Sequence, residues 1–382
     1  MYNTSSNPLA TMASYRIKGK MLRYSIFIPK LYNLCKSLGF EAGKIMPSRA
    51  FCSDESQGYP IILIGKHFNT FPFNHGMVGG VVATDRHGPH SEHGQDLVII
   101  QASHVGYHPD TQSFGVYKRL QTQQSELSSS CGKVDSVLHW YKTEHHFACE
   151  NILVSREDGK WMITIDNQLL DETRDEGLYL HLNKLITPDE QGQPNPVKAY
   201  STSKSFPASA ELIQQLEQQT TIEGQCHPLG ALLLPEWYHF KRLIEGDEEG
   251  RGHLEQNLLP VMPWILASKS PLLTAAKVNT QVEFDRTYRS ILREKSYRNK
   301  RVFFIAGLNI DISPETGQMF PLTKFVPWAA YVQQPDGEHY NLEQDELFSQ
   351  LEAQSAENPD QTDLESAIRL MSEAEEVRVP SE

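Results

Sequence analysis

Two short, strongly apolar runs constrain the fold of this chain more than any other feature. Asp96–Ala102 (DLVIIQA) and Arg301–Ala306 (RVFFIA) are short and dense in β-branched or aromatic residues, and both read as buried strands. Helical patterns alternate with them. Ser128, Ser129 and Ser130 precede Val134, Val137, Leu138 and Tyr141, which fall at i, i+3, i+4 and i+7. Serines ahead of such a stripe mark a helix start and put Cys131 beside a helix N-terminus. Ala210–Gln219 and Gln281–Arg298 also read as helices, the second with a basic face. His108–Thr111 (HPDT) predicts a turn, with Phe114–Tyr117 returning as a second strand. Asn151–Ile165 is a hairpin pattern turning at Glu157-Asp158-Gly159, and Leu178–Leu185 alternates like a strand. The class is therefore α/β, a sheet flanked by helices.

The 382 residues suffice for one large domain or two to three ordinary ones. The expected organisation is a helical N-terminal segment (1–49), an α/β domain (50–200), a second α/β region (201–340) and an acidic tail (341–382), with the Pro- and Ser-rich stretch Gly192–Pro207 as the boundary. The second region carries a faint echo of the first. Leu97–Thr111 overlays Val302–Thr316 without gaps and sets Asn309 opposite His104. Chance similarity explains this more simply than a degenerate second copy.

Several function classes recede. The most apolar stretch, Met21–Phe40, is broken by Arg23, Pro29, Lys30, Asn33 and Lys36, so no membrane span is expected. Residues 1–49 contain one acidic residue, Glu41, as an organellar presequence would, but a helical segment packed on the body is the simpler reading, in a cytoplasmic protein. The net charge of −13 is concentrated: Asp336–Glu382 holds 14 acidic residues and 2 arginines, which leaves the body near neutral. That end reads as solvated and partly disordered, around two weak helices near Leu342–Ala353 and Asp363–Ala374. The basic helix bearing Arg286, Arg289, Arg293, Lys295 and Arg298 carries no nucleic-acid-binding motif, so nucleic acid is not an expected partner; an acidic partner or the chain's own tail would suit it.

Cys52, Asp54, His104 and Cys131 are the residues whose combination suggests chemistry. Two thiolates and an imidazole suit zinc, three protein ligands leave a fourth position for water, and a helix N-terminus favours the Cys131 thiolate. The spacing is no recognisable metal motif. Each residue also has a plainer explanation alone: Cys52 as a small buried hydrophobe, His104 as a satisfied core histidine. Cys35, Cys149 and Cys226 lack partners at ligand spacing, His145-His146 suits a helix end, and His87, His90 and His93 lie in the Gly- and His-rich stretch Asn74–Gly94, which reads as a loop.

The order of motifs adds a resemblance. Cys52-Ser53-Asp54-Glu55, the Gly-rich stretch Gly76–Gly88, His104 on its strand, Phe114–Arg119 and Ser130-Cys131-Gly132 resemble, in sequence order, blocks of the limiting-CO2-inducible protein B and C family, the theta-class carbonic anhydrases. The resemblance covers roughly residues 50–140. It implies a β-carbonic-anhydrase-like sheet, a homodimer, and Zn2+ held by Cys52, His104 and Cys131. It implies Asp54 as the acidic partner of the zinc water, and reversible hydration of CO2 to bicarbonate by hydroxide formed on the metal. His87, His90 or His93 would carry the released proton. Active sites of this type carry an arginine two residues after the aspartate, and this chain has Ser56 there. Without a guanidinium, Asp54 could itself close the metal site; Arg86 or Arg119 could supply one from elsewhere. A catalytically silent zinc-binding scaffold is the alternative, and a metal-free Cys–His nucleophilic enzyme a third.

Overall fold

The computed structural model describes residues 12–83, 96–118, 127–166, 169, 176–192, 203–218, 226–242, 251–315, 317–318 and 320–375. The chain divides into two compact units, one of Lys133–Ala275 and the other of Met12–Gly132 with Ala276–Glu382. No helix among the described residues is long and apolar enough to cross a membrane.

The second unit is built on one mixed sheet. Its chain runs through β1 (Leu22–Arg23), α1 (Tyr24–Ser37), β2 (Ile45–Ala50), α2 (Gly58–Phe68), β3 (Phe73–Asn74) and β4 (Asp96–His108). The short strands β5 (Ser113–Phe114), β6 (Val116–Tyr117) and β7 (Ser128–Ser129) lead to the start of α3 (Gly132–Asn151). The unit resumes on α4 (Pro271–Arg293), then β8 (Val302–Ile312), β9 (Leu322–Gln333), β10 (His339–Leu342), α5 (Gln344–Glu352) and α6 (Leu364–Glu373). The strand order is β1-β9-β8-β4-β2-β3, with β10 on β9 and β5 on β4. β8, β4, β2 and β3 are mutually parallel, whereas β9 is antiparallel to β8 and to β1.

The two apolar runs are the central pair of this sheet. They lie side by side in parallel, Val302 opposite Leu97 and Asn309 opposite His104, so the ungapped overlay seen in the sequence is their register. That alone does not make them copies of one unit. Period-two alternation then sorts their side chains between two cores. Val98, Ile100, Ala102, Phe303 and Ile305 join Phe27, Ile28, Leu31 and Leu34 of α1, Ile64 of α2 and Leu347 and Leu351 of α5. Leu97, Ile99, Val302, Phe304 and Ala306 join Phe284 and Ile291 of α4. Both faces are covered, which is why the runs are so densely apolar; the buried Gln101 that interrupts the first donates to the Gly80 carbonyl. On the first face, the Phe27 and Phe325 rings stack at 4.0 Å.

The other unit has its own core, gathered around a four-stranded sheet. Ile152–Glu157 and Lys160–Asp166 form the expected hairpin, closed by Asp158 (φ 49°) and Gly159 (φ 78°), the signs a two-residue type I′ turn demands. Ser209 caps the short helix Ala210–Leu216 by accepting from the Leu212 N–H.

Three expectations change. Leu178–Leu185 is a strand only to Leu180, and Leu182–Leu185 is a helical turn. The basic helix begins ten residues earlier than Gln281, at Pro271, and ends at Arg293. The acidic C-terminal stretch is folded as far as it is described: β10 pairs with β9, Leu347 and Leu351 are buried, and Asp363 caps α6 by accepting from the Glu365 and Ser366 N–H groups. Charge placed it on the surface, but apolar residues four apart on α5 tie it to the core.

Truncating a ring in the stacked pair tests this packing. Phe325→Ala is expected to cost about 3–5 kcal/mol, read from chemical denaturation of the whole chain; a loss below about 1 kcal/mol would mean that the site collapses or is not core.

Candidate metal centre

The first sheet face turns from apolar to polar toward the carboxyl ends of its central strands. Beyond Ala102 on β4 the next residue on that face is His104; beyond Ile305 and Gly307 on β8 come Asn309 and Asp311. All three polar side chains are buried. His104 lies within β4, which continues to His108, rather than after the strand.

Cys52 and Cys131 reach this place from elsewhere in the chain. Cys52 stands two residues past the end of β2, a parallel neighbour of β4, so its carboxyl end opens on the same edge. Cys131 immediately precedes α3, as the serine-rich start implied. Its place is set by Ser130, which is buried: the Gly106 N–H on β4 donates to Ser130 Oγ, and the Ser130 N–H donates to the Gly115 carbonyl at 3.0 Å. The ligand atoms of Cys52, His104 and Cys131 all lie within 4.8 Å of one another. Each of these residues is at least 95% buried.

The Gly-rich stretch closes over Cys52. The Gly79 N–H donates to Cys52 Sγ at 3.3 Å. A Cβ on Gly76 would sit 2.1 Å from the Phe51 carbonyl oxygen, and one on Gly80 (φ 77°) 2.3 Å from that of Ala102, so only glycine allows this approach. α4 clamps the same loop with residues one turn apart. Asn279 Nδ2 donates to the Gly79 carbonyl at 3.1 Å, the Val82 N–H donates to Glu283 Oε2 at 2.8 Å, and Arg286 donates to the Val82 carbonyl.

Polar partners surround His104. Its Nδ1 lies 2.9 Å from Asp311 Oδ2, whereas Nε2 is buried with no hydrogen-bond partner. Asn309 links outward, accepting from the Tyr24 hydroxyl at 2.8 Å and donating to Gln57 Oε1 at 2.6 Å.

The ionisable groups of the cluster perturb one another strongly. Cys52 is lowered to about 3, first by a hydrogen bond from Cys131, against the cost of burial, and further by His104 and the Gly79 N–H. Cys131 moves the other way, because Cys52 and burial both favour its protonated form. Burial alone would depress His104, but the neighbouring cysteines and Asp311 outweigh it and raise the imidazole. The metal-free pocket thus favours one thiolate among three closely coupled groups.

Asp54 caps the turn Glu55–Gln57, accepting from the Ser56 N–H at 3.2 Å. Burial and the neighbouring Glu55 carboxyl push it up to about 6. Asp54 is not among the ligand atoms gathered within 4.8 Å. Arg86, Arg119, His87, His90 and His93 fall outside the described residues. Cys35 is buried in the apolar core, and Cys149 lies near Tyr238 in the other unit, so neither joins the cluster.

The donor set fits a metal ion. A buried histidine nitrogen without a partner faces the need for one, and two thiols and one imidazole supply soft and borderline ligands.

No protein-family model matches the sequence, and no curated protein does. Similar solved structures exist. They include the limiting CO2-inducible protein LCIB, at 13% identity over 85% of this chain and 95% of that one, with a TM-score of 0.45. They also include PtLCIB4, a homolog of LCIB, at 10% identity over 88% of this chain and 99% of that one, with a TM-score of 0.48.

Sequence reasoning missed Asp311, Gln57 and Thr323. One signal was present: the polar alternation Asn309-Ile310-Asp311 at the end of an apolar strand marks buried polar residues on a single face.

The loop's close approach is testable. Gly76→Ala should lower stability by about 1–3 kcal/mol through backbone overpacking; an unchanged thermal midpoint would show that the loop does not need this contact.

Proposed function

We propose that Cys52, His104 and Cys131 hold one zinc ion with an open fourth position, and that the chain is a lyase of carbonic-anhydrase type interconverting CO2 and bicarbonate. The observation that carries the reading is the convergence of three distant residues into one buried cluster that leaves His104 Nε2 without a partner. The ordered sequence motifs supply the reaction class. Zinc held by three protein ligands lowers the pKa of water in its fourth position to about 7, which provides a nucleophile at neutral pH.

The chain's own residues would do the rest. Cys52 and Cys131 supply the anionic ligands, and His104 supplies Nε2. Asp54, held at its turn by the Ser56 N–H, is the acidic group assigned to the water position. Arg86 or Arg119 would pair with it. The homodimer and the cytoplasmic setting belong to the same reading and rest on the sequence alone.

One observation favours a second reading, a zinc protein without turnover. The position expected to carry an arginine is Ser56, and its hydroxyl is engaged with Asp311 at 3.0 Å rather than extended toward Asp54 as a guanidinium would be.

Metal content and turnover, measured together, separate these readings. The chain purified without added metal should carry near one zinc and hydrate CO2 rapidly in stopped flow. One zinc without hydration would select the silent reading. No zinc after chelator-free preparation would contradict both. Cys131→Ser and His104→Ala should each lose bound zinc; full occupancy in both variants would sink the ligand assignment.

A further inference from the structure

We propose that Asp311 is the positioning residue of the metal centre, the carboxylate that fixes His104 in the one tautomer able to bind the ion. The inference rests on the three-ligand reading above and adds a residue from the opposite end of the sequence.

Both side chains are fully buried. Asp311 Oδ2 receives His104 Nδ1 at 2.9 Å, Ser56 Oγ at 3.0 Å and Gln57 Nε2 at 3.0 Å. Oδ1 receives Thr323 Oγ1 at 3.0 Å. A buried carboxylate persists only when donors replace its lost water, and four do so here. Ionised, it can only accept, so the hydrogen on a neutral imidazole must sit on Nδ1. The lone pair is then on Nε2, the atom left without a hydrogen-bond partner.

What separates His104 from an ordinary core histidine is the company its two nitrogens keep. The buried His75, by comparison, has its Nδ1 2.7 Å from the hydroxyl of Ser48. In His104 one nitrogen is tied to a carboxylate held by three further side chains, and the other is bare among two thiols. Metal-ligating histidines characteristically donate their second N–H to a carboxylate in this way, which fixes the ring and raises its basicity.

The geometry also gives Ser56 a task. Ser56 and Gln57 come from the turn that follows Cys52, and Thr323 from β9, so Asp311 joins the Cys52 loop to the His104 strand through one carboxylate. The ligand cage is thereby held together before any metal arrives.

The test uses the full chain and two probes, zinc and cobalt(II). Affinity for zinc is read by chelator competition, and coordination by the visible d–d bands of the cobalt form. Asp311→Ala should bind zinc about 10- to 100-fold more weakly, with d–d bands altered by a loosened imidazole while thiolate-to-cobalt charge transfer persists. Asp311→Asn keeps an acceptor for Nδ1 without the charge and should fall between that variant and the parent. Thr323→Val, which removes one of the four donors but keeps the carboxylate, should weaken zinc and alter the cobalt bands less than Asp311→Ala does. If Asp311→Ala does not fold, Asp311→Asn decides on the same readouts. Parent-like zinc affinity and cobalt bands in the decisive variant would overturn the role of Asp311 while leaving the metal site intact. A parent chain that binds no zinc would overturn both.

Discussion

The parallel pairing of Asp96–His108 with Val302–Ile312 is the constraint on which the rest of the structure depends. Because side chains alternate strictly, this register decides at once which apolar residues enter which core and which polar residues share a face. A slip by one residue would send Asn309 and Asp311 to the α4 side and leave His104 facing Leu308 or Ile310. The apolar parts of the two strands pin the register, and the polar ends inherit their placement from it. Two segments some 200 positions apart in the sequence thus become a histidine and its carboxylate.

Burying so many polar groups is tolerable only because most find partners. Tyr24, Gln57, Asn309, Asp311, Thr323, Ser56 and His104 form one hydrogen-bonded network beneath the strand ends. Such a network is rigid, since moving one member strands another in a low-dielectric interior. The Gly-rich loop is held with equal care on the α4 side, by Asn279, Glu283 and Arg286. The cluster of Cys52, His104 and Cys131 sits between these two sets of supports. A site meant to hold an ion needs this kind of supporting shell, because ligands free to move lose affinity through their own entropy.

The elements most legible in the sequence were those with strong local chemistry. The two apolar runs, the Asp158-Gly159 hairpin and the serine-marked start at Cys131 all follow from short-range rules of burial, turn conformation and capping. The three candidate ligands were legible as residues, and their joint burial within 4.8 Å is what the structure adds. Asp311 was not legible as a partner of His104: the alternation Asn309-Ile310-Asp311 sets it on one strand face, but only the pairing of β8 with β4 decides which residue it meets there. The folded acidic stretch was misread for a related reason. Net charge is summed over all faces, whereas Leu347 and Leu351 act on one.

The account's central claim is that two sulfurs and one histidine nitrogen bind a single zinc and leave one position to a light atom. X-ray absorption at the zinc edge of the metal-loaded chain tests it most directly. The account predicts four-coordinate zinc with two sulfur scatterers near 2.3 Å and two nitrogen or oxygen scatterers near 2.0–2.1 Å, one carrying the outer-shell signature of imidazole. A shell of oxygen scatterers without sulfur, or one with four sulfurs, would contradict it.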